Sequence, residues 1–180
     1  MKKIVMVLAL CLPGIAFAQA LDTPYQVRYW VNTNQVSTVR LVNTGANGAS
    51  LTDGPEGTIC ANVYAFATNG QMTSCCACPV PPDGLVSLPV NTNLVPAGNP
   101  VPSALVVKIV STRANAGMCA GPTTVGTAAS PIAAGFLSWI SGPQETPFIP
   151  STLSAGELAK LTTQCTSLNM PTFCKSCPQY

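Results

Sequence analysis

The 180-residue chain is 47% hydrophobic and only 8% charged, whereas about a quarter of the residues are charged in ordinary soluble proteins. Its formal net charge is +2, and two of its eight basic residues stand at positions 2 and 3. Six basic and six acidic residues remain beyond them, so the clustered Lys and Arg of nucleic-acid-binding proteins are missing. This composition excludes nucleic acid as an expected partner, and a surface with so little like-charge repulsion favours association.

The first twenty residues have the pattern of a cleaved signal peptide. Two lysines precede an apolar run, Ile4–Leu12, and small residues then offer cleavage sites after Ala18 or Ala20. The run is too short for a membrane span, and no later run reaches that length. An alternative is lipid attachment at Cys11, which the bulky preceding leucine disfavours. We expect a secreted protein, extracellular or periplasmic, with no membrane span.

Residues 21–150 are dominated by short segments rich in β-branched and aromatic residues and separated by turn signals. The expected strands, in chain order, are Tyr25–Val31, Ser37–Asn43, Thr58–Ala67, Gln71–Cys78, Leu85–Val90, Ala104–Thr112, a weak one at Thr123–Thr127, Ala133–Ser141 and Thr146–Ser151. About eight short strands are typical of a β-sandwich, Ig-like or transthyretin-like in kind. The run Ala104–Thr112 is apolar on both faces except for Lys108, so we expect it to be central.

One stretch predicts a hairpin that sets the geometry of a cysteine cluster. Asn69-Gly70 is a strong signal for a two-residue turn, and pairing Thr68 with Gln71 places Val63 opposite Cys76. The strands before and after the Pro-rich turn at 79–84 then form a β-meander. Alternation along the strand puts Cys76 and Cys78 on one face of the sheet, and Cys75 with Cys60 on the other.

Residues 151–180 predict one helix and a tail packed on the same domain. Ser154 is a natural N-cap with Glu157 three residues on, which is the capping-box pattern. Leu153, just before the cap, can pack against Leu158 as a hydrophobic staple. Leu158, Leu161, Cys165 and Leu168 follow at the spacing of one helix face, and Asn169 and Pro171 end the helix.

Eight cysteines remain after loss of Cys11, and an even number in an exported chain predicts disulfides. The disulfide candidates are Cys60, Cys75, Cys76, Cys78, Cys119, Cys165, Cys174 and Cys177. Eight cysteines allow 105 pairings, so the sequence leaves their connectivity open. Two alternatives compete: a thiolate metal site built from "CCAC" and "CKSC", and thiol exchange at Cys174-x-x-Cys177, which lacks the following helix that lowers a thiol pKa.

Catalytic patterns are absent from the sequence. The chain has no histidine to serve as a base, and neither Lys108 nor Lys160 lies in a Ser–Lys motif. Asp53 and Glu56 fit a turn better than a calcium loop or a glycosidase pair. We therefore expect no enzyme, no cofactor and no resident metal.

Aromatic residues near the start of the expected body raise a binding alternative. Tyr25, Tyr29 and Trp30 could form a platform on which a sugar stacks, although ordinary strand packing is the favoured interpretation.

The segments "RLVNTG", "GTICANVYAF", "MTSCCACPVPPDGLVSLPVNTNL" and "TLSAGELAKLTTQC", with the Cys-x-x-Cys tail, resemble a family of uncharacterised small secreted bacterial proteins. The resemblance covers about half of the chain beyond residue 20 and implies export and a shared fold. It implies no activity and no catalytic residues.

The sequence favours a secreted structural or adhesive cell-surface protein that associates with itself or with cell-surface or matrix components. An extracellular module that binds carbohydrate or a small ligand through Trp30 or Trp139 is the alternative. A thiolate metal-binding protein is the second alternative.

Overall fold

A computed structural model describes residues 23–31, 37–46, 57–96, 100, 102–142, 144–168 and 173–177. Within these ranges the chain is mainly β, with two antiparallel sheets and one long helix near the C-terminus. This confirms the mainly β class and the C-terminal helix predicted from the sequence.

Nine strands and two helices make up the described fold. They are β1 Tyr25–Val31, β2 Thr38–Asn43, β3 Ile59–Ala67, β4 Met72–Val80, β5 Leu85–Pro89, α1 Val90–Asn93, β6 Ala104–Arg113, β7 Phe136–Ser141, β8 Thr146–Pro147, β9 Ile149–Pro150 and α2 Ala155–Leu168. The first sheet has the order β4-β3-β6-β1-β9, and the second has the order β5-β2-β7-β8.

Strand β6 is central in its sheet, as its two apolar faces predict. Leu105, Val107 and Ile109 belong to a buried cluster that also contains residues of the second sheet, such as Leu41 and Phe136. The opposite face of the first sheet packs against α2 in a separate cluster. The first sheet is therefore covered on both faces, which explains why its strands lack a polar side.

The hairpin between β3 and β4 has the predicted register but a different loop. Val63 pairs with Cys76 as expected, yet Ala67 N–H donates to Gln71 O, so the loop has three residues, Thr68 to Gly70. Gly70 takes the positive φ of 80° that ends such a loop. A bulge at Thr73 of β4, where Ala65 pairs with Ser74 and Phe66 with Met72, absorbs the extra residue and restores the register.

The predicted β-meander is wrong, because β5 pairs with β2 in the second sheet. Asp83 has φ 57°, and its N–H donates to Asn43 O at the end of β2. The Pro-rich turn thus carries the chain from one sheet to the other. Strand β4 consequently lies at the edge of its sheet rather than in the middle of three strands.

Three further segments differ from their predictions. No strand forms at 123–127, where Gly121 and Gly126 adopt positive φ and successive turns form instead. The segment 146–151 divides into β8 and β9, which belong to different sheets, because Phe148 between them is buried and its N–H donates to Ser138 O. The short helix α1 lies between β5 and β6, a stretch for which the sequence predicts no helix.

Helix α2 begins at the predicted cap. Ser154 Oγ accepts from Glu157 N–H at 3.1 Å, and Leu161 and Cys165 are the buried residues of the predicted face. The Glu157 carboxylate accepts a hydrogen bond from Lys108 Nζ of β6 at 2.6 Å. Glu157 therefore contributes an ion pair to the sheet, which accommodates the charge of Lys108 in the middle of β6.

Candidate functional site

All eight predicted cysteines are paired, which confirms the disulfide bonds expected from the sequence. The bonds are Cys60–Cys119, Cys75–Cys165, Cys76–Cys174 and Cys78–Cys177. Three of the four bonds therefore leave from the single strand β4.

The predicted division of sulfurs between two faces is also observed. Cys75 joins the cluster beneath α2, together with its partner Cys165. Cys76 and Cys78 join the cluster between the sheets, together with Cys174 and Cys177. Strand β4 is thus tied to the helix on one face and to the C-terminal tail on the other.

The C-terminal tail also covers the outer edge of β4. Ala77 and Phe173 form a parallel bridge, and Cys174 N–H donates to Ala77 O at 3.1 Å. Ser176 N–H donates to Asn93 Oδ1 at 3.0 Å, which joins the tail to α1. An unpaired edge strand invites pairing with another chain, and at β4 this edge is occupied.

Three sulfurs of the β4–tail junction lie unusually close together. The Sγ atoms of Cys78, Cys174 and Cys177 lie within 4.8 Å of one another, and all three residues are buried. Cys76 adjoins them through its own bond to Cys174. These four residues belong to the motifs "CCAC" and "CKSC" of the thiolate-metal alternative, and in the oxidised chain they form two disulfides.

Strand β1 presents a different situation, because most of its outer edge has no neighbour among the described strands. Strand β9 pairs only with Gln26 and Val27. Ser111 N–H donates to Pro24 O on the β6 side, and Ser151 N–H donates to Tyr25 O on the β9 side. Backbone groups alternate between the two sides of an antiparallel strand, so those of Tyr29 and Val31 face the open side.

The same two residues have exposed side chains. Tyr29 is 57% exposed and Val31 is 50% exposed. Val27 and Tyr25, two and four residues before Tyr29 on this face, are packed in the cluster beneath α2. An open backbone edge and an apolar exposed surface therefore coincide at the end of β1.

A cleft of about 340 Å³ lies beside this edge, between β1 and the end of β7. Its lining residues are Arg28, Tyr29, Trp30, Val31, Ile140, Gly142, Gln144 and Thr146. Arg28 donates weakly from Nη1 to Pro147 O at 3.5 Å, and its buried Nε has no partner within the described part of the chain. No carboxylate of the described residues forms an ion pair with Arg28, so its positive charge is available to an anionic group.

The predicted sugar platform does not form as one surface. Tyr25 and Trp30 are buried, and Trp30 Nε1 donates to Ser37 Oγ at 3.0 Å. Tyr29 is exposed on the strand face opposite to Trp30, and Trp139 is half-buried outside the cleft lining. Alternation along β1 predicts that Tyr29 and Trp30 point to opposite faces of the strand. The openness of the β1 edge, in contrast, depends on how short β9 is.

The remaining candidate groups have structural surroundings. Lys108 is held by Glu157 and also lies 4.8 Å from the centroid of the Phe66 ring. Burial, with Glu157 as a second cause, raises the pKa of Tyr25 to about 12. Burial likewise raises the pKa of Tyr64, whose hydroxyl donates to Pro122 O. Asp53 and Glu56 lie outside the described residues.

Comparison with known proteins adds no relative: no family model, no curated protein and no solved structure matches this chain. In the described ranges, no helix is both long and apolar enough to cross a membrane.

Proposed function

We propose that this chain is an exported structural or adhesive protein of the cell surface, and that it self-associates through the open edge of β1. The observation that carries the proposal is the coincidence of free backbone groups with exposed side chains at Tyr29 and Val31. Edge strands in monomeric proteins are normally protected by a charge, a proline, a bulge or a covering segment. The edge of β4 has such a cover, and the described end of β1 has none.

The alternation of backbone groups selects one arrangement of two copies. In an antiparallel β1–β1 pair, Tyr29 of one protomer lies opposite Val31 of its partner, and the twofold axis repeats the contact. Each such pair exchanges both N–H···O bonds, and an aromatic residue opposite a β-branched one is a favourable cross-strand neighbour. Because β9 already pairs with Gln26 and Val27, a β1–β1 register that reaches these two residues is blocked.

Electrostatics favours the same association. Once the first twenty residues are removed, the formal charge is zero, so two copies meet with little repulsion. The one charged residue of β1, Arg28, lines the cleft instead of the exposed face, so it does not guard the edge.

Export and architecture belong to the same proposal. Support for export comes from the N-terminal pattern, from the four disulfides and from the resemblance to small secreted bacterial proteins. Support for an Ig-like or transthyretin-like sandwich comes from the buried cluster shared by the two sheets. The strand order differs from that of Ig constant domains, whose two sheets have the orders ABED and CFG. In this chain β1 pairs with β6.

Sedimentation equilibrium of the oxidised, processed protein and two edge variants tests the proposal. Val31→Pro removes an N–H that faces the open side and leaves the β1–β6 bonds intact, and Tyr29→Lys places a charge on the edge. We expect the wild type to dimerise and both variants to dissociate at least tenfold more readily. Met118→Lys is the matched control, because Met118 is 63% exposed and lies away from β1. A monomeric wild type, or equal weakening by all three substitutions, contradicts the proposal.

The cleft favours a second function, the binding of a small anionic ligand such as an acidic sugar. The observation that supports this function is the unpartnered Nε of Arg28 beside the aromatic residues Tyr29 and Trp30. Guanidinium groups bind carboxylates in a bidentate manner. NMR titration with glucuronate and glucose tests it. We expect shifts at Arg28 and Thr146 with glucuronate only, lost in Arg28→Gln. Equal shifts with both sugars, or none, exclude it.

A further inference from the structure

We propose that the reduced chain carries a four-thiolate zinc site formed by Cys76, Cys78, Cys174 and Cys177. The two disulfides seen in the structure are the oxidised form of the same four sulfurs. The site and the disulfides are therefore alternative, mutually exclusive states of the junction between β4 and the tail. The inference does not depend on association through β1.

The spacing of the sulfurs fits a tetrahedral centre. Zinc–sulfur bonds of about 2.3 Å place the sulfurs of a tetrahedron about 3.8 Å apart. The Sγ atoms of Cys78, Cys174 and Cys177 already lie within 4.8 Å of one another, and Cys76 is bonded to Cys174. Once both bonds are reduced, rotation about the side-chain torsions of the four cysteines can bring their sulfurs to tetrahedral spacing.

Contacts other than the disulfides hold the two halves of the site together. Cys174 N–H donates to Ala77 O of β4. The side chain of Asn93 both accepts from Ser176 N–H and donates to Ser176 Oγ, each at 3.0 Å. The tail therefore has non-covalent reasons to remain against β4 after reduction.

The donor set selects the class of metal. It contains only sulfur, and the chain has no histidine to substitute for one of the four. Thiolates prefer Zn²⁺ and Cu(I) over hard cations, and Zn²⁺ is the redox-inert choice. All four residues are buried, which excludes competing water from the metal.

The chemistry balances in two steps. An external dithiol supplies two electrons and two protons to each disulfide and becomes a cyclic disulfide. A phosphine supplies the two electrons and becomes the phosphine oxide, with its oxygen and the two thiol protons coming from water, so that either reductant gives four thiols. The four thiols then bind one Zn²⁺ and release up to four protons, so affinity rises with pH. After the metal is removed, an added low-molecular-weight disulfide accepts two electrons and two protons for each bond formed, becomes two thiols and restores the two protein disulfides.

Cobalt binding in two matched four-cysteine variants tests the site. The first variant keeps the proposed ligands and carries Cys60→Ser, Cys75→Ser, Cys119→Ser and Cys165→Ser. The second carries Cys76→Ser, Cys78→Ser, Cys174→Ser and Cys177→Ser and keeps the other four cysteines. Each is reduced with a phosphine and titrated with Co²⁺, whose tetrahedral thiolate complexes give intense visible and near-ultraviolet bands, and Zn²⁺ is then added.

We expect the first variant and the reduced wild type to bind one Co²⁺ tetrahedrally and to exchange it for Zn²⁺, and the second variant to lose these bands. Near-ultraviolet circular dichroism recorded alongside shows whether metal binding accompanies folding. Equal bands in both variants indicate thiols of an unfolded chain and overturn the proposal. Absence of tetrahedral bands in the first variant, folded or not, overturns it as well.

Discussion

Cys75 and Cys76 are neighbours in the chain, but their disulfides leave β4 through opposite faces of the sheet. Cys75 reaches Cys165 of α2 across a Cα–Cα distance of 5.7 Å, and Cys76 reaches Cys174 of the tail across 4.9 Å. The alternation of a strand makes this possible, since adjacent side chains point to opposite faces. One edge strand thereby anchors both the helix and the tail.

The Cys75–Cys165 bond holds α2 against the first sheet, so its removal should loosen the helix first. We expect Cys75→Ala with Cys165→Ala to lower the free energy of unfolding by about 2–5 kcal/mol. Amide hydrogen exchange should accelerate more in α2 than in β3. The matched control, Cys60→Ala with Cys119→Ala, should leave exchange in α2 nearly unchanged. Equal acceleration of α2 in both pairs would show that the bond does not secure the helix.

Alkaline pH should destabilise the fold through its buried tyrosines. The pKa of Tyr25 is about 12 in the folded protein and about 10 in an unfolded chain. The stabilisation is therefore complete below about pH 10 and is lost as the pH rises toward 12, because the unfolded state ionises first. Urea unfolding between about pH 9 and 12 measures this loss. Tyr25→Phe should make the decline shallower, and an unchanged decline would contradict the assignment.

Two glycines with nearly the same backbone conformation allow the cost of backbone strain to be measured separately from the cost of a side-chain clash. Gly70 has φ +80° with open space around it, whereas a Cβ on Gly126, at φ +84°, would lie 2.7 Å from Leu158 Cδ2 of α2. We expect Gly70→Ala to cost about 1–2 kcal/mol, from the left-handed conformation alone. Gly126→Ala should cost more, because Leu158 must also move. Chemical denaturation of both variants checks the order, and equal costs would contradict the close approach.

The sequence predicted those features whose determinants lie within a few neighbouring residues. The bounds of β1, the register of Val63 with Cys76 and the Ser154 cap follow from alternation, turn signals and capping chemistry within a few residues. The three-residue loop was not predicted, because the compensating bulge at Thr73 of β4 gives the same register as a two-residue loop.

Pairing between distant segments could not be predicted in this way. Nothing local to Leu85–Pro89 says that its neighbour is β2 rather than β4. Alternation assigned Cys75 and Cys76 to their faces but not to their partners. The candidate site has the same origin, since Tyr29 is exposed at an open edge only because β9 is two residues long.

Amide hydrogen exchange at Tyr29 and Val31, followed by NMR as the protein concentration rises, tests the central proposal most directly. Pairing of two β1 edges engages these two N–H groups, whereas the N–H groups of Arg28 and Trp30 already face β6. We expect exchange at Tyr29 and Val31 to slow as the concentration rises, while exchange at Arg28 and Trp30 stays constant. Exchange at Tyr29 and Val31 that is independent of concentration in a dimerising protein would place the interface elsewhere and contradict the account.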